Sequence, residues 1–124
     1  MFVSSNLGTS ECISFIEYEK HVKESINHRP GNEIWCSCNI GPDDYPCLSI
    51  LVKDDESVVN YFSENNSELF ASLGDLSKEG IVAFESGQYE VAAYQVIPTA
   101  SATECALQFF YSQKKPSCIE WEEL

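Results

Sequence analysis

Cys36-Ser37-Cys38 and the Pro46-Cys47 pair are the residues in this chain whose types come closest to metal chemistry. A zinc site takes paired ligands such as CxxC or HxxxH, with a second pair to close the tetrahedron. Cys-x-Cys has another spacing and no second pair accompanies it. On a strand its two thiols project to one side, which suits core packing. A zinc deaminase requires HxE followed by PCxxC. Pro46-Cys47 runs on into Leu48-Ser49-Ile50, and neither His21 nor His28 has a glutamate two residues later. The same two histidines, seven apart on one expected helix, read as surface residues and not as the base of a Cys–His pair. GxSxG, HExxH and glycine-rich phosphate loops do not occur. DDESVVNYFSEN begins with acidic alternation but lacks the glycine that a calcium loop needs at its sixth position. Twenty Asp and Glu make close carboxylate pairs inevitable, so pairing alone does not indicate acid–base catalysis. No catalytic, metal or cofactor residues are assigned, and the chain is not expected to be an enzyme.

What remains is surface chemistry. Seven Lys and Arg against twenty Asp and Glu leave a net charge of −13. That field disfavours direct contact with nucleic acid or anionic membrane, which require basic patches. It favours a basic partner and speeds its arrival. The acids concentrate in turns that also hold aromatic residues. Asp43, Asp44 and Tyr45 share one turn, Asp54, Asp55 and Glu56 another, and Glu64 and Glu68 flank a third segment. With Tyr45, Tyr61 and Phe62 as apolar anchors, this set forms the candidate partner-binding surface, in which carboxylates orient the partner and raise the encounter rate. The competing account of any single acidic turn is a solvated loop.

These residues need elements to position them. Cys12 to Ile16 reads as a short strand. Tyr18, Val22 and Ile26, four apart, form the apolar stripe of a helix that ends near Arg29, before Pro30-Gly31. In EIWCSCNI, residues Ile34, Cys36, Cys38 and Ile40 face one way, and Trp35, Ser37 and Asn39 the other. CLSILVK and VVNYFS follow across short polar turns, predicting an antiparallel meander. Leu69, Phe70 and Leu73 fit a two-turn helix closed by Gly74. IVAFE and YEVAAYQVI make a further hairpin. A second helix spans 99–113, with Ser101 and Glu104 as its capping box. Lys114, Lys115 and Pro116 read as a helix stop, where positive charge is favoured. SCIEWEEL is then a final strand that packs Ile119 and Trp121 on the core with its glutamates outward. The expected fold class is α+β: a largely antiparallel sheet with two main helices packed on it and a short C-terminal strand, in a single domain over residues 1–124.

The composition, 44% apolar and 12% aromatic, is that of a globular chain. MFVSSNLGTSE shows no basic n-region and no apolar h-region. No stretch approaches the ~20 apolar residues of a membrane span. The six cysteines are therefore expected to be reduced, mostly buried thiols in a cytoplasmic protein.

QFFYSQKKPSCIEWEEL, together with EYEKHVKESINHRP and YPCLSILVKDDESVVNYF, resembles the small immunity proteins of bacterial polymorphic toxin systems. The resemblance is nearest to those that neutralise a double-stranded-DNA cytidine deaminase toxin. Its order of marks is a Phe-rich helix (Phe109, Phe110), a basic stop (Lys114, Lys115, Pro116) and a segment closing on Trp121, Glu123 and Leu124. The likeness begins near residue 11 and is weakest over 64–90. It implies a protein that occludes a cognate toxin domain, itself basic and acting on nucleic acid, without catalysis or cofactor. Immunity to a nuclease toxin, or an acidic adaptor that binds a basic protein without inhibiting it, remain alternatives. Because such interfaces diverge with their toxins, the loops are better contact candidates than the Pro116–Leu124 motif.

Overall fold

The computed structural model of the protein describes residues 1–28, 31–39 and 45–124. Two strands open the chain, β1 (Phe2–Ser5) and β2 (Gly8–Glu11), followed by α1 (Phe15–Ile26). The expected meander follows as β3 (Asn32–Ser37), β4 (Cys47–Lys53) and β5 (Glu56–Phe62), then β6 (Leu69–Leu73). A hairpin of β7 (Ile81–Phe84) and β8 (Tyr89–Ala92), a two-residue β9 (Ile97–Pro98), α2 (Thr99–Ser112) and β10 (Glu120–Glu123) complete the order. The main sheet runs β10-β6-β5-β4-β3-β1-β2, with antiparallel pairing at each step and β9 added beside the start of β5. The architecture is α+β, as the pattern predicts.

Both helices pack on one face of this sheet. They run antiparallel: Phe15 stacks on Tyr111 at 5.1 Å, while the Tyr18 hydroxyl donates to the Ala106 carbonyl at 2.6 Å. Beneath them lie Ile34 and Cys36 of β3, Leu48, Ile50 and Val52 of β4, and Val59 and Tyr61 of β5. The helices contribute Tyr18, Val22, Ile26, Ala102, Cys105, Ala106 and Phe109. The stripes Tyr18–Val22–Ile26 and Leu48–Ile50–Val52 read from the sequence are buried, as are Ile34 and Cys36, whereas Cys38 is half-buried and Ile40 lies outside the described residues. Burial pushes the Cys36 thiol up to about 12 and lifts the Tyr18 hydroxyl well above its usual range, so both stay neutral. Cys12, Cys47 and Cys105 are buried, Cys38 is half-buried and Cys118 exposed.

Three expectations are corrected. Cys12–Ile16 is not a strand: Ser14 accepts the Glu17 amide, and the Glu17 carboxylate accepts the Ile13 amide, so Ser14-x-x-Glu17 caps α1. Leu69–Leu73 is a strand and not a helix, because both its edges are paired, one with β5 and the other with β10. Ser101 and Glu104 lie inside α2, whose first turn has no side-chain cap. That start is fixed instead by the β4–β5 turn: the Thr99 amide donates to the Asp55 carbonyl, and the Thr99 hydroxyl to the Asp54 carbonyl.

The C-terminal segment closes the sheet. Gln113 takes the left-handed conformation that ends α2, and Lys115 Nζ sits 3.8 Å from the centre of the Phe70 ring. Trp121 donates its indole N–H to the Pro116 carbonyl at 2.7 Å and packs with Ile119 against the core. Glu120 and Glu123 are exposed, whereas Glu122 is half-buried and accepts from Tyr94 and Gln95.

Candidate partner-binding surface

Charge is divided unequally between the layers. The two helices and the lysines after α2 hold Glu17, Glu19, Glu24 and Glu104 against Lys20, Lys23, Lys114 and Lys115, four against four. The helical layer is thus neutral. The rest of the chain holds sixteen acids and three bases, which is the entire net charge of −13. A basic partner is drawn to the strands and their turns, not to the helices.

The candidate residues fall into two groups. Asp54, Asp55 and Glu56 form the β4–β5 turn, with Asp54 in a left-handed conformation at φ 57°. A depression of about 460 Å³ opens beside them, lined among others by Asp55, Glu56, Lys78 and Pro98. The other group lies at the far end of β5. There Ser63 closes the 63–68 segment by accepting the Glu68 amide at 2.8 Å, which brings Glu64 and Glu68 toward Tyr61. Burial, and then these acids among its neighbours, raise the Tyr61 hydroxyl above its ordinary value. The groups stand at the two ends of the seven-residue strand β5, which spans roughly 20 Å at the usual rise. That exceeds the Debye length of about 8 Å in physiological salt, so the two ends steer a partner independently. Asp43 and Asp44 lie outside the described residues.

Tyr61 is corrected from surface anchor to core residue. Its side chain is 7% exposed and meets Phe70, Phe109 and Trp121. The reason is register: Leu48 of β4 and Tyr61 are cross-strand partners, and both face the helices. Tyr45 is half-buried beside Phe62, with ring centres 6.2 Å apart.

Register also exposes a feature of the opposite face. The rows Glu33–Leu51–Val58, Trp35–Ser49–Asn60 and Ser37–Cys47–Phe62 all point away from the helices. The β7–β8 hairpin packs Phe84, Val82 and Tyr89 on the first, against Leu51 and Val58. Beyond it the rings of Trp35 and Phe62 meet tilted by 32° with centres 5.5 Å apart, and Trp35 is 37% exposed. Glu33 stands at the junction. Its carboxylate accepts the Trp35 indole N–H at 3.1 Å, and its bond with the Tyr89 hydroxyl holds that phenol above its ordinary value. The sequence placed Trp35 on the outward face but offered no sign that Phe62, two strands away, would lie against it.

His21 approaches Glu24 at 3.9 Å on the surface of α1. Among the described residues no His, Cys, Asp and Glu gather in a set of three able to hold a metal ion. No helix of the described residues is long and apolar enough to cross a membrane. One family model, described as Immunity protein Imm1, matches residues 9–123. No curated protein matches the chain significantly.

Proposed function

The chain belongs to the Imm1 family of immunity proteins, and we propose that it neutralises a basic toxin domain that acts on nucleic acid, with a cytidine deaminase as the first candidate. Residues 1–124 act as one domain in the cytoplasm of the toxin-producing cell, by occlusion and without chemistry of their own. The observation that carries the basic, nucleic-acid-directed partner is the placement of all the net charge outside the helical layer. A protein that works on a polyanion needs a cationic groove, and an acidic surface complements it without resembling any one sequence. The deaminase reading rests on the order of Phe109, Phe110, Lys114, Lys115, Pro116 and Trp121. A nuclease toxin is the alternative with the same electrostatics.

Neutralisation at nanomolar Kd requires about −12 kcal/mol. Charge chiefly raises the association rate, so the affinity must come from desolvated contacts. Asp54, Asp55, Glu56, Glu64, Glu68 and Tyr45 are proposed as the steering and rim residues, with Tyr61 supporting them from the core. Reversing Asp54, Asp55 and Glu56 to lysine is expected to slow association about tenfold or more at low salt, with the deficit shrinking as salt rises. Stopped-flow traces that coincide with wild type at both ionic strengths would remove this turn from the interface.

The function is tested by rescue. The C-terminal domain encoded immediately upstream is expressed in a bacterium with and without this chain, survivors are counted, and their DNA is sequenced. Survival with the chain, and base substitutions only without it, is the expected result. Rescue with no substitutions moves the toxin to a nuclease or another class. Killing that this chain does not relieve overturns the pairing.

A further inference from the structure

We propose that Trp35, Phe62 and Glu33 form the anchor of the toxin interface, and that they receive an arginine side chain from the toxin. The inference rests on the reading of the partner as a basic toxin domain and specifies which surface holds it.

Four observations converge on this strip. It lies on the sheet face away from the neutral helices, on the part of the chain that carries all the net charge. The β7–β8 hairpin packs on Leu51 and Val58 and leaves Trp35 37% exposed. An exposed indole supported by a second ring is the kind of residue on which binding energy concentrates. Glu33 is already oriented, because its carboxylate accepts the Trp35 indole N–H at 3.1 Å. A guanidinium laid on the indole face gains the attraction of a cation for an aromatic ring. Its planar fork can meet the free lone pairs of the same carboxylate. The protein's own ring-facing lysines are engaged elsewhere, Lys53 over Phe84 and Lys115 over Phe70. Glu64 and Glu68, at the Phe62 end of β5, add long-range pull toward the strip.

The competing apolar patch is on the helical layer, where Ile13, Ile16 and Tyr111 are more than two-thirds exposed. It lacks the negative field a basic partner would follow, and so serves as the comparison surface. Binding of a catalytically inactivated upstream toxin domain is measured with wild type, Trp35→Ala, Trp35→Phe, Glu33→Gln and the double variant Ile16→Ser/Tyr111→Ser. Trp35→Ala is expected to weaken binding at least 100-fold, mostly through faster dissociation, and Trp35→Phe to restore most of it. Glu33→Gln is expected to lose about tenfold, and the helical double variant to remain within threefold of wild type. Unchanged melting curves separate lost contact from lost fold. Wild-type affinity in Trp35→Ala, with loss in the helical variant, overturns the anchor while leaving the toxin reading intact. Failure of wild type to bind overturns both. Sedimentation of the free chain as a dimer that Trp35→Ala dissociates would give the strip to a second copy and overturn the assignment.

Discussion

Phe109→Ala is expected to destabilise the protein by about 3–5 kcal/mol, the usual range for removing a fully enclosed phenylalanine. Phe109 has 0% exposure and sits in α2 where the helices meet the sheet, its ring edge-on to Tyr61 at 6.4 Å. Tyr61 in turn meets Phe70 and Trp121, so one side chain ties α2 to β5, β6 and β10. Collapse around the void is limited, because the sheet residues beneath are fixed by pairing on both sides. Domains of this size hold only about 5–15 kcal/mol of net stability, so the change removes a large share of it. Urea titration should show a lower midpoint with the slope retained. Phe109→Leu should retain more than half of the difference. A loss below about 1 kcal/mol for the alanine variant would mean that α2 does not pack as described. Because the whole fold weakens, rescue from the toxin should fail together with stability, which sets this variant apart from Trp35→Ala.

What could be read from the sequence was the part governed by repetition. Tyr18, Val22 and Ile26 repeat at helical spacing; Leu48, Ile50 and Val52 repeat at strand spacing; both sets lie in the core. The last segment was legible because Trp121 and Ile119 alternate with charge. The β1–β2 hairpin was not, since four-residue strands carry little pattern and Gly8-Thr9-Ser10-Glu11 has no apolar face. It is held by pairing to β3 and by the Asn6 amide bonded to the Asn32 side chain, a partner 26 residues away. Two of the three Ser-x-x-Glu sequences, those at Ser14 and Ser101, show the limit in another form. The one at Ser14 caps a helix; the one at Ser101 does not, because residues 97–99 are already tied to β5 and its turn. Local chemistry made both possible and tertiary contacts selected one. The candidate surface follows the same rule. Its acids were visible as composition, but their division between opposite ends of β5, the burial of Tyr61 and the contact of Trp35 with Phe62 depend on register among three strands.

Gly74→Ala is the substitution in which this dependence should be most costly. Read from the sequence, Gly74 is a helix stop, where alanine would cost about 1 kcal/mol or less. In the fold it follows β6 and donates its amide to the Tyr94 carbonyl at 2.6 Å. A Cβ there would fall 1.9 Å from the Val96 carbonyl oxygen and 3.0 Å from its carbon. Both atoms are backbone, so rotation of a side chain offers no relief. Either β6 or the 93–96 segment must move, and each is held. The buried Ser72 hydroxyl donates to the Gln95 carbonyl at 2.7 Å and accepts the Val59 amide at 3.1 Å, while Glu122 takes bonds from Tyr94 and Gln95. Separating the segments would leave buried polar groups unsatisfied in addition to the steric cost. We therefore expect about 3 kcal/mol of destabilisation, the upper end of the range for overpacking. Hydrogen exchange should show protection lost first at Gly74, Val96 and Val59. The contrasting site is Gly80, where a Cβ meets nothing within 4 Å and only the positive φ of 90° opposes alanine. If Gly74→Ala melts with wild type while Gly80→Ala does not, the close approach of β6 and the 93–96 segment is wrong. The larger loss at Gly74 would instead establish that the junction of β6, the 93–96 segment and β10 holds the C-terminal strand in place, and with it the wall of the core behind the acidic surface.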